Sequence, residues 1–408
     1  MDSSVAGNTL AFNAWEAPGT LKGLASKLVK QTELVDAYLR SFDYGQPSFD
    51  ADAAELPDTA EYNALRGEVA STLDELKCLI DGPKRYLRGL LMTGNDLAAF
   101  QVAFEFKFFQ FAPLHASIDV GVLATKAGMD VERATRVLRM LTTHHVFMEP
   151  RPGHFCHTAT SAMLHHDEEV RSAGHYMLDE CLRAATMSSA CIKKSPHESD
   201  SVHSPFHAFF GVPMFAFYEQ NSALAARFTK AMAGTTKLDR QASELRDEFR
   251  WGELQGTVVD VGGGNGHVSV ALARAFSSLN FLVQDNSDVM LAQGGRLLEP
   301  SLQCRCTHNW SDIDLVTILR SLVPGLESSG PRTPLLINDT VMPVPGSRPL
   351  VDERALRQLD ILMFVVLGAK QRSAAEFERV LKMADERYEI KKVYFEGTMG
   401  LIEVQLQG

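Results

Sequence analysis

The residues best placed to do chemistry lie in the second half of the chain. A β-branched run, Thr257-Val258-Val259-Asp260-Val261, leads into Gly262-Gly263-Gly264-Asn265-Gly266-His267, and an apolar helical stretch, Val268–Phe276, follows. Glycines let the backbone approach a ligand closely, and a helix N-terminus favours polar or anionic groups. The spacing narrows the ligand. A dinucleotide fingerprint starting at Gly262 needs glycine at position 267, where this chain has His267. No Gly-Lys-Ser/Thr follows, which excludes a phosphate-cradling P-loop. A second strand-like run, Leu279–Asp285, ends in an acid 19 positions after Gly266. A parallel neighbour strand would deliver that carboxylate to a ribose diol. The plainer use of Asp285 is to cap a helix over Asn286–Leu298.

These groups need a frame. From about residue 205 strand-like runs alternate with helical ones, which predicts an α/β doubly wound parallel sheet. The first half reads as helical. Leu21–Leu39 is amphipathic, Tyr44–Pro57 is a loop, and Val69, Leu73, Leu76 and Ile80 fall three or four apart. Phe100, Phe104, Phe108 and Phe111 form an aromatic stripe that predicts a buried helix face. Ile118–Ala127 and Asp130–Thr143 read as two short helices, with Asp130 as N-cap, and Val146–Phe155 as a β-hairpin turning at Pro-Gly. Helix, helix, hairpin is a winged-helix pattern. Ser201–Glu219 is dense in aromatics, Asn221–Phe249 is a long helical run, and Ile361–Leu367 is the greasiest stretch, suited to core or pocket lining. The domains expected are 1–204, helical and winged-helix, and 205–408, the ligand-binding sheet.

Composition excludes several roles. The chain has 408 residues, 45% hydrophobic and 22% charged, and a net charge of −11 repels a phosphate backbone. Arg133, Arg136 and Arg139 on the second helix are balanced by Asp130 and Glu132, so nucleic-acid binding is not expected. The six cysteines form no C-x-x-C pair, and neither a metal site nor disulfides are expected. No signal peptide is apparent at Met1–Trp15 and no apolar run reaches membrane-spanning length, so the expected location is cytoplasmic.

The residues of this chain resemble the plant- and fungal-type O-methyltransferases that depend on S-adenosylmethionine. The match covers roughly residues 60–405, and the wording of segments such as FMEPRPGHFCHTATSAML looks fungal. Its markers are Arg136–Met140, His157-Thr158-Ala159-Thr160-Ser161, Pro205-Phe206, Met232-Ala233, Asp260–Gly266, Gln284-Asp285 and His308-Asn309-Trp310-Ser311-Asp312. The resemblance implies a Rossmann-like methyltransferase domain and a homodimer. It also implies a small phenol or polyketide-type hydroxyl as substrate. Asp260, Gly262, Gly263, Gly264 and Asp285 would hold the cofactor, His308 would be the general base, and Asp339 in Leu335–Thr340 would orient it. Histidine suits that task because its pKa lies near neutrality. An apolar set, Phe206, Met214, Phe215, Tyr218, Met232, Met363 and Phe364, would line the substrate pocket, with His157 on its other side.

The chain departs from that pattern twice. A second orienting acid of the family is replaced by Gln371 in Lys370-Gln371-Arg372-Ser373, and an amide cannot stabilise an imidazolium by charge. From Asp285 to His308 there are 23 steps, where a helix and two strands need about 35 residues. Only Leu302–Thr307 is left as a short strand. A cyclase of the pericyclase or dehydratase type on the same fold, and a non-catalytic homologue, therefore stand beside the methyltransferase as alternatives.

Overall fold

Two neighbouring helices start at aspartate caps. Asp119 Oδ1 accepts the backbone N–H groups of Gly121 and Val122, starting the helix Val120–Ala127, and Asp130 accepts from Arg133 to start Val131–Thr143. In the computed structural model the described residues are 19–239, 249–262, 266–284, 307–330, 333–398 and 400–407. They fall into two compact units, one from residues 19–46 and 54–93, the other from 47–53 and the described part of 94–408.

In the first unit, helix Leu21–Ser41 packs Tyr38 and Leu39 against Tyr62. Tyr62 opens the long helix Ala60–Glu105, which is interrupted at Gly82-Pro83 because proline cannot donate to the helix ladder. Among the described residues, Leu73 and Ile80 of the periodic face stay exposed, Ile80 at 62%.

The second unit begins with a small antiparallel sheet. Strand β1 (Ile118–Asp119) pairs with β3 (His154–His157), which pairs with β2 (Phe147–Arg151), in the order β1-β3-β2. Helix was expected from Ile118, but the first two residues extend to pair with Phe155 and His154, and Asp119 caps the helix after them. The aromatic stripe is not one helix either. Lys107 takes a left-handed turn (φ 58°) after Glu105, and a short helix Phe108–Phe111 restarts the chain, so Phe104, Phe108 and Phe109 still reach one core with Leu138 and Phe147.

Helices Pro205–Phe210, Met214–Gln220 and Ser222–Asp239 follow, then β4 (Gly256–Val261) and its parallel neighbour β5 (Leu279–Gln284). Helix His267–Ala275 links them. The expected helix 286–298 and strand 302–306 lie outside the described residues, and Thr307 begins a 3-10 turn, Thr307–Asn309, rather than ending a strand. Helix Asp312–Ser329 leads to β6 (Leu335–Asn338) and β7 (Val341–Met342), and helix Leu350–Leu367 leads to β8 (Arg372–Ser373). The last strands are β9 (Tyr388–Phe395) and β10 (Leu401–Leu406).

Pairing is mixed rather than wholly parallel. β4–β5 and β7–β8 are parallel, while β10 runs antiparallel to both β6 and β9. The connection from β9 to β10 is too short for a crossover, so the chain must reverse. Val258 of β4 and Leu279 and Phe281 of β5 pack with Trp251, Leu272 and Leu401 in one cluster.

Candidate active site

The ends of β4 and β5 meet where the glycine loop begins. Val261 is opposite Gln284, and the Gly262 N–H donates to the Gln284 carbonyl at 2.6 Å. Gly262 has φ +80°, a conformation that side chains with a Cβ rarely adopt. Asp260 is buried at the end of β4, and its Oδ2 accepts the Ser269 hydroxyl at 2.9 Å, tying the strand to the helix beyond the loop. Gly263, Gly264 and Asp285 lie outside the described residues. The bond to Gln284 ties the end of β5 to Gly262, the residue that follows β4.

His308 and Asp339 come together although 31 positions separate them. The His308 Nδ1 lies 2.6 Å from Asp339 Oδ1, and the His308 backbone N–H donates to Oδ2 at 2.9 Å. The Thr307 hydroxyl also donates to Oδ2, and the Thr340 N–H to Oδ1 at 2.7 Å. Burial pushes the Asp339 carboxyl up, but the His308 charge and these hydrogen bonds outweigh it and hold the group below the usual carboxylate range. Two hydrogen bonds to the Gly400 carbonyl, from the Asp339 backbone N–H at 3.0 Å and from the Asn338 side-chain Nδ2 at 3.1 Å, fix the strand end. Among the described residues the His308 Nε2 has no hydrogen-bond partner, so it is the nitrogen able to take a proton.

The apolar set is brought together in part. Phe206, Met214 and Tyr218 are buried in one cluster with Val365–Leu367, and Met232, Met363 and Phe364 pack against it. Phe215 does not join them and is 50% exposed. On helix Met214–Gln220 the buried side runs through Met214, Phe217 and Tyr218, and one residue of helix rotates Phe215 about 100° away. His157 is also elsewhere. At 3% exposure it sits in the core of the small antiparallel sheet, its ring 5.2 Å from Phe147 and 5.3 Å from His165, with Nε2 at 3.2 Å from the Ala112 carbonyl. Burial lowers its pKa, opposed by the Ala112 bond. It is a core histidine of this chain rather than a residue of the apolar cluster.

Gln371 is buried, its backbone N–H donates to Asp360 Oδ1 at 2.8 Å, and its side-chain oxygen has no partner among the described residues. Sequence reasoning passed over its neighbour Arg372, whose guanidinium donates to the carbonyls of Thr307 and Trp310 on either side of His308. The signal available was an arginine directly before a helix-capping serine at the start of a strand, which is unremarkable until the fold closes.

A further buried ion cluster lies beside the apolar set. Glu180, on a π-helical turn Met177–Cys181, pairs with Arg227 at 2.8 Å, and Asp179 pairs with the same guanidinium at 2.8 Å. Among the described residues no group of three or more His, Cys, Asp or Glu side chains could hold a metal, and no helix is long and apolar enough to cross a membrane.

A family profile described as an O-methyltransferase domain matches residues 192–307. The chain is 56% identical to O-methyltransferase sol2 of Alternaria solani, over 95% of each chain. Among solved structures, OxaC in complex with SAH and oxaline has a TM-score of 0.72 at 18% identity, covering 94% of this chain and 100% of that one. A protein described as a pericyclic reaction enzyme has a TM-score of 0.70 at 14% identity over 94% of this chain and 100% of that one. On the sol2 likeness, which spans nearly the whole chain, the protein belongs to the plant- and fungal-type S-adenosylmethionine-dependent O-methyltransferase family, in its fungal secondary-metabolism branch.

Proposed function

We propose that this chain transfers a methyl group from S-adenosylmethionine to a hydroxyl of a small aromatic or polyketide-type metabolite, with His308 as general base. The observation that carries the reading is the 2.6 Å contact between His308 Nδ1 and the buried Asp339 carboxylate. It fixes the ring, leaves Nε2 as the acceptor, and stabilises the charge that appears when Nε2 takes the hydroxyl proton. Asp260 and Gly262, with Gly263, Gly264 and Asp285, would hold the cofactor. The positive φ of Gly262 and its bond to Gln284 fit a close backbone approach to a ligand. When bound, S-adenosylmethionine would supply an electrophilic methyl on its sulfonium and be released as S-adenosylhomocysteine, while His308 would take the proton of the accepting hydroxyl. Phe206, Met214, Tyr218, Met232, Met363 and Phe364 would exclude water and face the aromatic part of the substrate.

Residues 1–204 would form the dimerisation part, with the unit from β1 to β3 as a winged helix, and 205–408 the cofactor-binding part. The apolar residues left exposed on helix Ala60–Glu105 support a second copy of the chain as partner. The cyclase reading has only likeness of fold at 14% identity behind it, and the 56% relative is named an O-methyltransferase. Incubating the purified protein with methyl-labelled S-adenosylmethionine and a panel of phenols tests the reading. Label in an extractable ether that disappears in His308→Ala supports it, and turnover without label transfer refutes it.

A further inference from the structure

His308 rides on a short turn whose donors and acceptors go to two opposite charges. The donors, Thr307 Oγ1 and the His308 N–H, go to Asp339. The acceptors go to Arg372. Its Nη1 donates to the Thr307 carbonyl at 3.0 Å and its Nη2 to the Trp310 carbonyl at 2.9 Å. Its Nε and Nη2 both reach Asp312 Oδ1, at 3.0 and 2.8 Å. These acceptors lie one residue before His308 and two and four after it, so a single guanidinium brackets the histidine.

The arrangement is costly to build and costly to break. Arg372 is 1% exposed, and burying a cation is unfavourable unless its donors are paired. Arginine's planar fork suits several fixed acceptors at once, which a lysine cannot match. Asp312 is itself anchored by Arg379 at 2.6 Å and Lys370 at 3.5 Å. Those cations, with the hydrogen bonds from Arg372, hold the Asp312 carboxyl below its ordinary range against the opposing effect of burial. Both ends of the clamp are set by one ladder. β8 pairs in parallel with β7, Val341 opposite Arg372, and Asp339 lies two residues before Val341.

We propose that Arg372 is the positioning residue for His308, fixing the turn that aims the imidazole. The inference rests on the reading of His308 as the base. Rate is sensitive to such aim, since a displacement of about 1 Å can cost 10²-fold. The test compares Arg372→Lys, Asp312→Asn and His308→Ala as full-length proteins, with kcat, KM for cofactor and phenol, thermal unfolding, and the downfield NMR proton of the His308–Asp339 hydrogen bond. Arg372→Lys keeps the charge but not the fork. It should lower kcat by about 10²-fold, change KM for the cofactor by less than about twofold, and lose the downfield proton. A folded Arg372→Lys protein with wild-type kcat and an intact downfield proton overturns the proposal. Should Arg372→Lys fail to fold, Asp312→Asn decides. It leaves the two carbonyl bonds but weakens the anchor, so a smaller loss of kcat with a broadened downfield proton supports the proposal, and no change in either overturns it. Wild-type turnover in His308→Ala would instead refute the base assignment, and the downfield proton in Arg372→Lys would then decide the positioning role alone.

Discussion

The Asp339 carboxylate grips His308 twice, through Nδ1 at 2.6 Å and through the backbone N–H at 2.9 Å. The first contact sets the ring and its tautomer, the second sets the turn. Removing the ring should therefore cost on the order of 10²–10⁴ in rate, the range for losing a general base. Asp339→Asn keeps the size of the partner but removes the charge and permits the wrong tautomer, and should approach the same loss. Steady-state kinetics on both variants checks this. An Asp339→Asn enzyme within about twofold of wild type would mean that the carboxylate does not serve catalysis.

Acid should weaken the protein partly through the same carboxylate. Burial raises its pKa, but the pairing with His308 and the hydrogen bonds bring the folded value below the unfolded one. A depressed carboxyl contributes stability that is fully present above about pH 4 and is lost as pH falls through the folded value. Thermal unfolding of wild type and Asp339→Asn, followed from about pH 6 to about pH 2, should show the gap between them narrowing in acid. A gap constant across that range would place the stabilisation elsewhere.

Strands β4 and β5 were legible because their signals are local. A β-branched run before glycines and an apolar run after them specify β4 and helix His267–Ala275 with no help from distant residues. The caps at Asp130 and the hairpin at Pro152-Gly153 were legible for the same reason. Three features were not. Ile118–Asp119 is extended only because β3 lies beside it, and Lys107 breaks the aromatic stripe at a residue with no helix-breaking chemistry. Arg372 acquires its role only when β8 meets β7, since its acceptors are 60 to 65 positions away. The surroundings of His157 were not legible either, because a histidine in a recognised motif reads the same whether its ring faces a pocket or a core.

The apolar cluster predicts a contrast between two phenylalanines nine positions apart. Phe206 is fully buried with Phe210 and Phe217 around it, at ring separations of 4.5 and 5.5 Å. Phe206→Ala should cost about 3–5 kcal/mol, through lost transfer energy and the cavity left behind. Phe215 is half exposed, and Phe215→Ser should stay within about 0.5 kcal/mol of wild type. Chemical denaturation of the two variants measures both. Equal losses would show that Phe215 is covered in solution, by a partner copy for example.

The last prediction separates strain from function at the glycines that begin and follow β4. Gly256 opens β4 and Gly262 directly follows its last residue, and both have positive φ, +97° and +80°. A Cβ at Gly256 meets nothing within 4 Å, so Gly256→Ala should pay only the backbone penalty, about 1–2 kcal/mol. Gly262→Ala should pay a similar penalty, and it also alters the residue whose N–H is bound to Gln284 at 2.6 Å beside the loop. If the loop holds the cofactor, calorimetric titration with S-adenosylhomocysteine should show affinity retained in Gly256→Ala and reduced at least about tenfold in Gly262→Ala, a loss of about 1.4 kcal/mol. Equal affinities in the two variants would remove Gly262 from the cofactor site, because strain alone would then account for everything the substitution does.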